Sequence, residues 1–498
     1  MTSAIDAVRL GQPKRTLRIA NPAWVPCVCG VVVLQIALIL HHEPFVDEWQ
    51  ALQIAVQSPD LASMLANLRY EGHPPLWYLL LRGLAMVVGP QAALPAASLI
   101  FALASQCLIL FRAPFPRWLR LALALSEPVL FEYGTNSRSY TLGIALTLAA
   151  LALWNRKREF WLPFALLPMV DALFGLVSLA LLVLRFAEKR LWWPGVAAWL
   201  ALSLLAAWTV IPAADFVPVY PPAASPLAGA RLLVLQLSIA MVPFQWGAHG
   251  PEWSSIPPFG WFLVLWIPFA WLCVEQTRGR PWDRLALGGF LAAFLILYAF
   301  SHPLANRHVM LIGALLVALQ WRQSLHGAPI RRFFQVWLAI GAACGVATAA
   351  IALAMPFDTA PQVARIIDRL NLRNEHWVST PVQHAQGVSA ITGILFEGLG
   401  TDCMNDFVRW NEATSRANVI DPAQWSKREA PAGRFYLASQ FEFPAWSGAV
   451  EIGRVPAGYD GKEYYLYRFG SDRAPPRRAL PRCVPGMNPL PPRRAAGV

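Results

Sequence analysis

From residue 23 to residue 354 the chain is a series of apolar runs joined by short connections rich in Arg and Lys. That pattern leaves few architectures open. A helix needs about 20 residues to cross the hydrocarbon layer, and the backbone inside that layer must satisfy its own polar groups. Packed spanning helices meet both demands. Charged residues make up 14% of the chain and mean hydropathy is +0.43, whereas a water-soluble protein carries about 25% charged residues. The 22 Trp and 42 Pro agree, because Trp gathers at membrane interfaces and Pro is tolerated in packed spanning helices. The expected fold class is mainly α, a polytopic membrane helical bundle of about 11 membrane segments with a C-terminal soluble α/β domain.

The net charge of +12 does not indicate nucleic acid. Residues 355–498 hold 17 Lys and Arg against 14 Asp and Glu, so +9 of the total lies in the membrane part, in short clusters between apolar runs. Clusters so placed set orientation, with the basic side cytoplasmic. Residues 1–22 carry Arg9, Lys14, Arg15 and Arg18, and no small-residue cleavage site is evident after the first apolar run, Ala23–Leu40, so the N-terminus is expected in the cytoplasm. The loop 41–92 is then external, and its apolar stretch Leu76–Val88 is too short to span. Keeping every basic cluster cytoplasmic requires residues 160–186 to form a hairpin of short helices, broken near Pro168 and Asp171. It also puts a Pro-rich loop, 212–256, outside, with Arg231–Gly247 lying on the external surface. Residues 355–474 follow as an external α/β domain, with a helix at Gln362–Leu372 and strands at Arg434–Phe443, Ala449–Val455 and Glu463–Phe469. Residues 475–498 form a Pro/Arg-rich tail. Cys403 and Cys483 would pair if that domain meets an oxidising compartment, and no cysteine has metal-ligand spacing.

Acidic residues against a membrane are expensive to desolvate. Asp47-Glu48 directly after the first span, with Glu71-Gly72-His73-Pro74-Pro75-Leu76 in the same loop, is therefore the strongest pointer to chemistry. This arrangement resembles the first external loop of the GT-C glycosyltransferases, in the branch of the protein O-mannosyltransferases and the lipid A aminoarabinose transferases. Two further segments share the resemblance: Ser137-Arg138-Ser139-Tyr140 and Asn306-Arg307-His308, each opening a span from outside. The match covers approximately residues 20–330 and excludes the C-terminal domain.

The resemblance implies a GT-C-type bundle in the cell (inner or plasma) membrane. It implies transfer of a sugar from a polyprenyl-phosphate carrier, with inversion, to an external acceptor: a lipid-linked glycan, lipopolysaccharide or lipid A, or a protein hydroxyl. Such a displacement needs a base on the acceptor hydroxyl and cations on the departing phosphate. Asp47 is the candidate base. Glu48, Glu71, His73, Arg138, Tyr140, Arg307 and His308 are candidate substrate-binding residues, the two arginines as phosphate ligands. His308 stands where the family has Tyr. No cofactor is required, though Glu71 and His73 with Asp47 and Glu48 form a possible divalent-metal set. Simpler roles compete. Asp47 would serve as an N-cap, the arginines would snorkel or pair with Glu127 or Glu132, and Asp215, His249 and Glu252 would be solvated on the outside of the external loop. A lipid or glycan transporter and a catalytically silent assembly protein are the competing functions. Asp47→Asn separates both from catalysis.

Overall fold

A computed structural model of the chain describes residues 23–218, 225–247, 250–254, 259–300, 305–444, 448–471, 473–477 and 480–483. The N-terminal segment 1–22, His249 and most of the 475–498 tail lie outside the described residues.

Fifteen helices build the bundle among these residues: α1 (Trp24–His41), α2 (Val46–Gln57), α3 (Leu61–Leu68), α4 (Leu76–Val88), α5 (Pro90–Arg112), α6 (Arg117–Ala124), α7 (Ser139–Ala152), α8 (Trp161–Val170), α9 (Ala172–Ala187), α10 (Trp193–Thr209), α11 (Pro226–Met241), α12 (Phe259–Thr277), α13 (Pro281–Phe300), α14 (Asn306–Leu325) and α15 (Arg332–Ala354). Four of them, α1, α5, α13 and α15, are long and apolar enough to cross a membrane. Large apolar side chains face outward around the perimeter, among them Val33, Trp193, Leu204, Ile267 and Phe300. Water would not tolerate so continuous an apolar surface, and lipid does. The α4 helix, 13 residues long, packs against α2 and α5. It is closed by Gly89 at φ +85°, a left-handed turn that Gly adopts without strain, and Pro90 opens α5 at once.

Side-chain contacts fix which helix ends lie together. At one end, Glu188 accepts from Trp154 Nε1 (2.9 Å), pairs with Arg322 (2.8 Å) and meets His326 (2.9 Å), while Arg322 also pairs with the buried Asp283. The ends of α7, α9 and α14 and the start of α13 thus meet in one knot. At the other end lie His73 with Asp171 and the starts of α7 and α14. Residues 160–186 are therefore the expected hairpin. The reversal is at Asp171, whose extended backbone separates α8 from α9 and whose carboxylate caps the Leu173 N–H at 2.9 Å.

Helix α6 stops at Ala124, and a π-helical turn, Pro128–Glu132, follows it. One expectation needs correction: the segment 231–247 does not lie on the surface. Helix α11 is inserted between α12, α13 and α14, burying Leu233, Gln236, Leu237 and Ile239. Its start abuts the far end of α13 at Tyr298, and its last turn carries Ala240, whose carbonyl accepts from Trp337 Nε1 at 2.8 Å. The chain then returns, and Trp253 reaches the site end again. Internal hydrogen bonding lets the helix be buried; the return keeps both of its flanks at one end.

The C-terminal domain contains α16 (Ala360–Arg369), α17 (Gln386–Thr392), α18 (Glu412–Val419) and α19 (Pro422–Glu429). Residues 246–247 (β1) and 250–251 (β2) pair as a minute hairpin ahead of it. Its own strands are β3 (Trp377–Thr380), β4 (Phe396–Gly398), β5 (Met404–Asn405), β6 (Phe435–Ser439), β7 (Val450–Val455) and β8 (Tyr464–Phe469), in the order β5-β4-β3-β6-β8-β7. Only β3 runs parallel to its neighbours, β4 and β6. Cys403 and Cys483 are disulfide-bonded. The domain is fastened to the bundle through α2: Gln50 exchanges hydrogen bonds with the Val408 backbone (2.6 and 3.0 Å), and Gln53 bonds Gln386.

Candidate active site

The first acidic pair splits into two roles because successive residues of a helix face different directions. Phe45 is the N-cap of α2, so Asp47 lies inside the first turn and is not the cap. Glu48, at the third helical position, turns inward and is fully buried. One of its carboxylate oxygens accepts the Phe45 N–H at 2.9 Å and meets His42 Nε2 at 2.8 Å; the other accepts the Ser137 N–H. Glu48 therefore has no free oxygen facing a substrate. It ties α1, α2 and the start of α7 together, and the expected substrate contact is replaced by a positioning one.

Asp47 faces the opposite way, its side chain 37% exposed. Arg138, immediately before α7, and Arg307, in the first turn of α14, both reach its Oδ2, Arg307 at 3.1 Å. These pairs replace the alternative partners Glu127 and Glu132. The arginines are 12% and 15% exposed, so their charges are held close beneath the surface. Ser137 anchors the Arg138 segment by donating to the Leu94 carbonyl at 2.7 Å, and Tyr133 donates to the Arg307 carbonyl at 2.5 Å. Burial works to raise the Asp47 carboxyl, but Arg138, Arg307 and Lys462 outweigh it and hold it well below the usual carboxylate range.

The remaining candidates surround this pair without forming one cluster. Glu71 accepts from Gln50 Nε2 at 2.7 Å, and burial, opposed by Gln50 and His73, pushes it up to about 7. His73 Nδ1 sits 3.0 Å from the buried Asp171, which orients the ring. Tyr140 is buried, stacks on Tyr133 with 5.6 Å between centroids, and its hydroxyl has no hydrogen-bond partner among the described residues. His308 turns back to accept the Ala305 N–H at 2.8 Å, closing the start of α14, with its ring 5.7 Å from that of Tyr140. The suggested metal set does not assemble: its four members are engaged separately, by arginines, by His42, by Gln50 and by Asp171. Among the described residues no group of three or more His, Cys, Asp or Glu side chains is placed to hold a metal.

Four contributors were not singled out as site residues from sequence. Phe45 and Trp253 pack edge to face at 4.7 Å; Arg138 lies 5.8 Å from the first ring and Arg307 5.7 Å from the second. Glu132 holds Trp253 through its Nε1 at 2.8 Å. Lys462 comes from the C-terminal domain. Phe45 was detectable as a residue three positions before a Glu, the capping-box spacing; the other three carry no local signal.

No protein-family model and no curated protein matches the chain. Among solved structures it superposes on ArnT from Cupriavidus metallidurans bound to undecaprenyl phosphate, with a TM-score of 0.50 and 11% identity, over 92% of this chain and 100% of that one. Against ArnT from the same organism in the apo state the TM-score is 0.49 at 14% identity, over 90% of this chain and 98% of that one. The chain thus shares the fold of ArnT, a mainly helical bundle of apolar helices with a C-terminal α/β domain.

Proposed function

We propose that this protein is a membrane glycosyltransferase that takes a sugar from a polyprenyl-phosphate carrier and transfers it, with inversion, to a hydroxyl-bearing acceptor outside the cytoplasm. One observation carries the reading: Asp47, Arg138 and Arg307, from three distant segments, converge at one end of an ArnT-like bundle. The undecaprenyl phosphate held by the solved ArnT suits the same assignment. Two guanidiniums sharing one half-exposed carboxylate leave positive charge available for a phosphate diester.

In the resting site Asp47 is a poor base because its arginines hold it ionised. When the donor's phosphate takes those arginines, Asp47 loses its partners and burial raises its proton affinity. It then accepts the acceptor's proton as the acceptor oxygen bonds to the anomeric carbon and the carbon–phosphate-oxygen bond breaks. The electron pair leaves on polyprenyl phosphate. We assign His73, oriented by Asp171, and Tyr140, whose hydroxyl has no hydrogen-bond partner among the described residues, to binding the sugar or the phosphate. The acceptor is a lipid-linked glycan, lipopolysaccharide or lipid A, or a protein. An external site agrees with the basic clusters at the opposite end of the bundle and with the disulfide in the attached domain.

Native mass spectrometry of the detergent-purified full chain with undecaprenyl phosphate tests the reading. The wild type is expected to retain the lipid, and Arg138→Gln and Arg307→Gln to lose it. Full retention by both folded variants, or none by the wild type, refutes it.

A further inference from the structure

The turn between β7 and β8 brings one lysine of the C-terminal domain into the bundle's site. Tyr459 and Asp460 donate their N–H groups to the carbonyls of Pro356 and Phe357, at 2.9 and 3.0 Å, which pins the turn to the segment leaving α15. Gly461, at φ +76°, lets the chain reverse there. The Lys462 N–H then donates to Asp460 Oδ1 at 3.1 Å and its Nζ pairs with Oδ2 at 3.3 Å. Asp460 is 1% exposed at its side chain, whereas the Lys462 side chain keeps 28%, so the lysine is anchored by a buried carboxylate. That Nζ lies 5.9 Å from the centroid of Phe45, the ring against which Arg138 stands at 5.8 Å. Lys462 also acts electrostatically on Asp47.

Resting on the function proposed above, we propose that Lys462 is the third cation of the phosphate seat, so that the C-terminal domain completes the active site. The chemistry gives a third cation a distinct use. A sugar phosphodiester carries one negative charge, and the polyprenyl phosphate that leaves is a monoester approaching two near neutral pH. Charge therefore grows on the leaving phosphate as the bond breaks. A cation fixed beside two arginines stabilises the later state more than the earlier one. Asp460 positions Lys462, and Asp358, buried nearby and bonded to the Ala360 N–H at 2.6 Å, contributes to its field.

The test is a titration of the full-length protein with undecaprenyl phosphate, using wild type, Lys462→Gln, Lys462→Arg and Arg138→Gln, with melting temperatures recorded for each. Lys462→Gln is expected to weaken binding about tenfold or more, and Lys462→Arg to stay near wild type. Should the Gln variant unfold, Lys462→Met keeps the aliphatic stem over Phe45 and removes the charge, with the same loss expected. Wild-type affinity in a folded Gln or Met variant, while Arg138→Gln is impaired, overturns the role of Lys462 and leaves the glycosyltransferase reading intact. No binding by the wild type defeats that reading itself.

Discussion

Replacing Asp47 by Asn should have opposite effects on binding and on turnover. In the resting site the carboxylate occupies both guanidiniums that a phosphate would use, so it competes with the donor. With 37% of its side chain exposed, each pair has the strength of a solvent-accessible ion pair, about 0.5–1 kcal/mol. Removing both competing pairs favours an incoming lipid phosphate by ~1–2 kcal/mol, or about 5- to 30-fold. Fluorescence titration of the purified variant with undecaprenyl phosphate, exploiting Trp253 beside Arg307, measures this directly. Sugar transfer should fall by at least about a hundredfold in the same preparation, because the proton acceptor is gone. Weaker lipid binding by a folded Asp47→Asn protein would refute the view that Asp47 masks the phosphate seat. Unchanged transfer would refute its role as base.

Two further outcomes follow from the same geometry. Glu71 titrates near 7 in the folded protein and lower when unfolded, so between about 4.5 and 7 the folded state binds the extra proton and its stability falls as pH rises. Glu71→Gln should flatten that decline, worth about 3 kcal/mol at most; melting curves from pH 4.5 to 8 that keep the wild-type slope would contradict the burial of this carboxyl. Gly345→Ala places a methyl 2.7 Å from the Glu127 backbone nitrogen, where α15 crosses the segment between α6 and the π-helical turn. A loss of ~1–3 kcal/mol is expected, seen as a lower melting temperature, and no loss would mean that this crossing is looser.

The parts of the fold legible in the chain were those where a physical constraint acts locally. The reversal at Asp171 followed from two adjacent basic clusters that had to share a side, and the capping carboxylate now explains where the turn falls. Helix α11 was misplaced because apolarity reports burial without saying whether a segment crosses or returns. Its buried Gln236 and Ser238, and Pro243 just beyond its end, mark the difference only when its neighbours are known. Strands β3, β4 and β5 are two to four residues long, too short for any alternation to register. At the site, Arg138 and Arg307 could be read because each stands at the start of an apolar run. Lys462 could not, since its position depends on a turn pinned to residues about a hundred positions earlier.

The bundle's two ends engage arginine differently. In the knot at the basic end Arg322 lies between two carboxylates, Glu188 and Asp283, and Glu188 is also reached by Arg190 at 3.7 Å and His326 at 2.9 Å. At the other end two guanidiniums divide one carboxylate. The first arrangement interlocks four helix ends. The second makes a vacancy for an anion. Whether an arginine is locked among several carboxylates or shares one partly exposed carboxylate separates a residue that holds this fold from one that can meet a substrate.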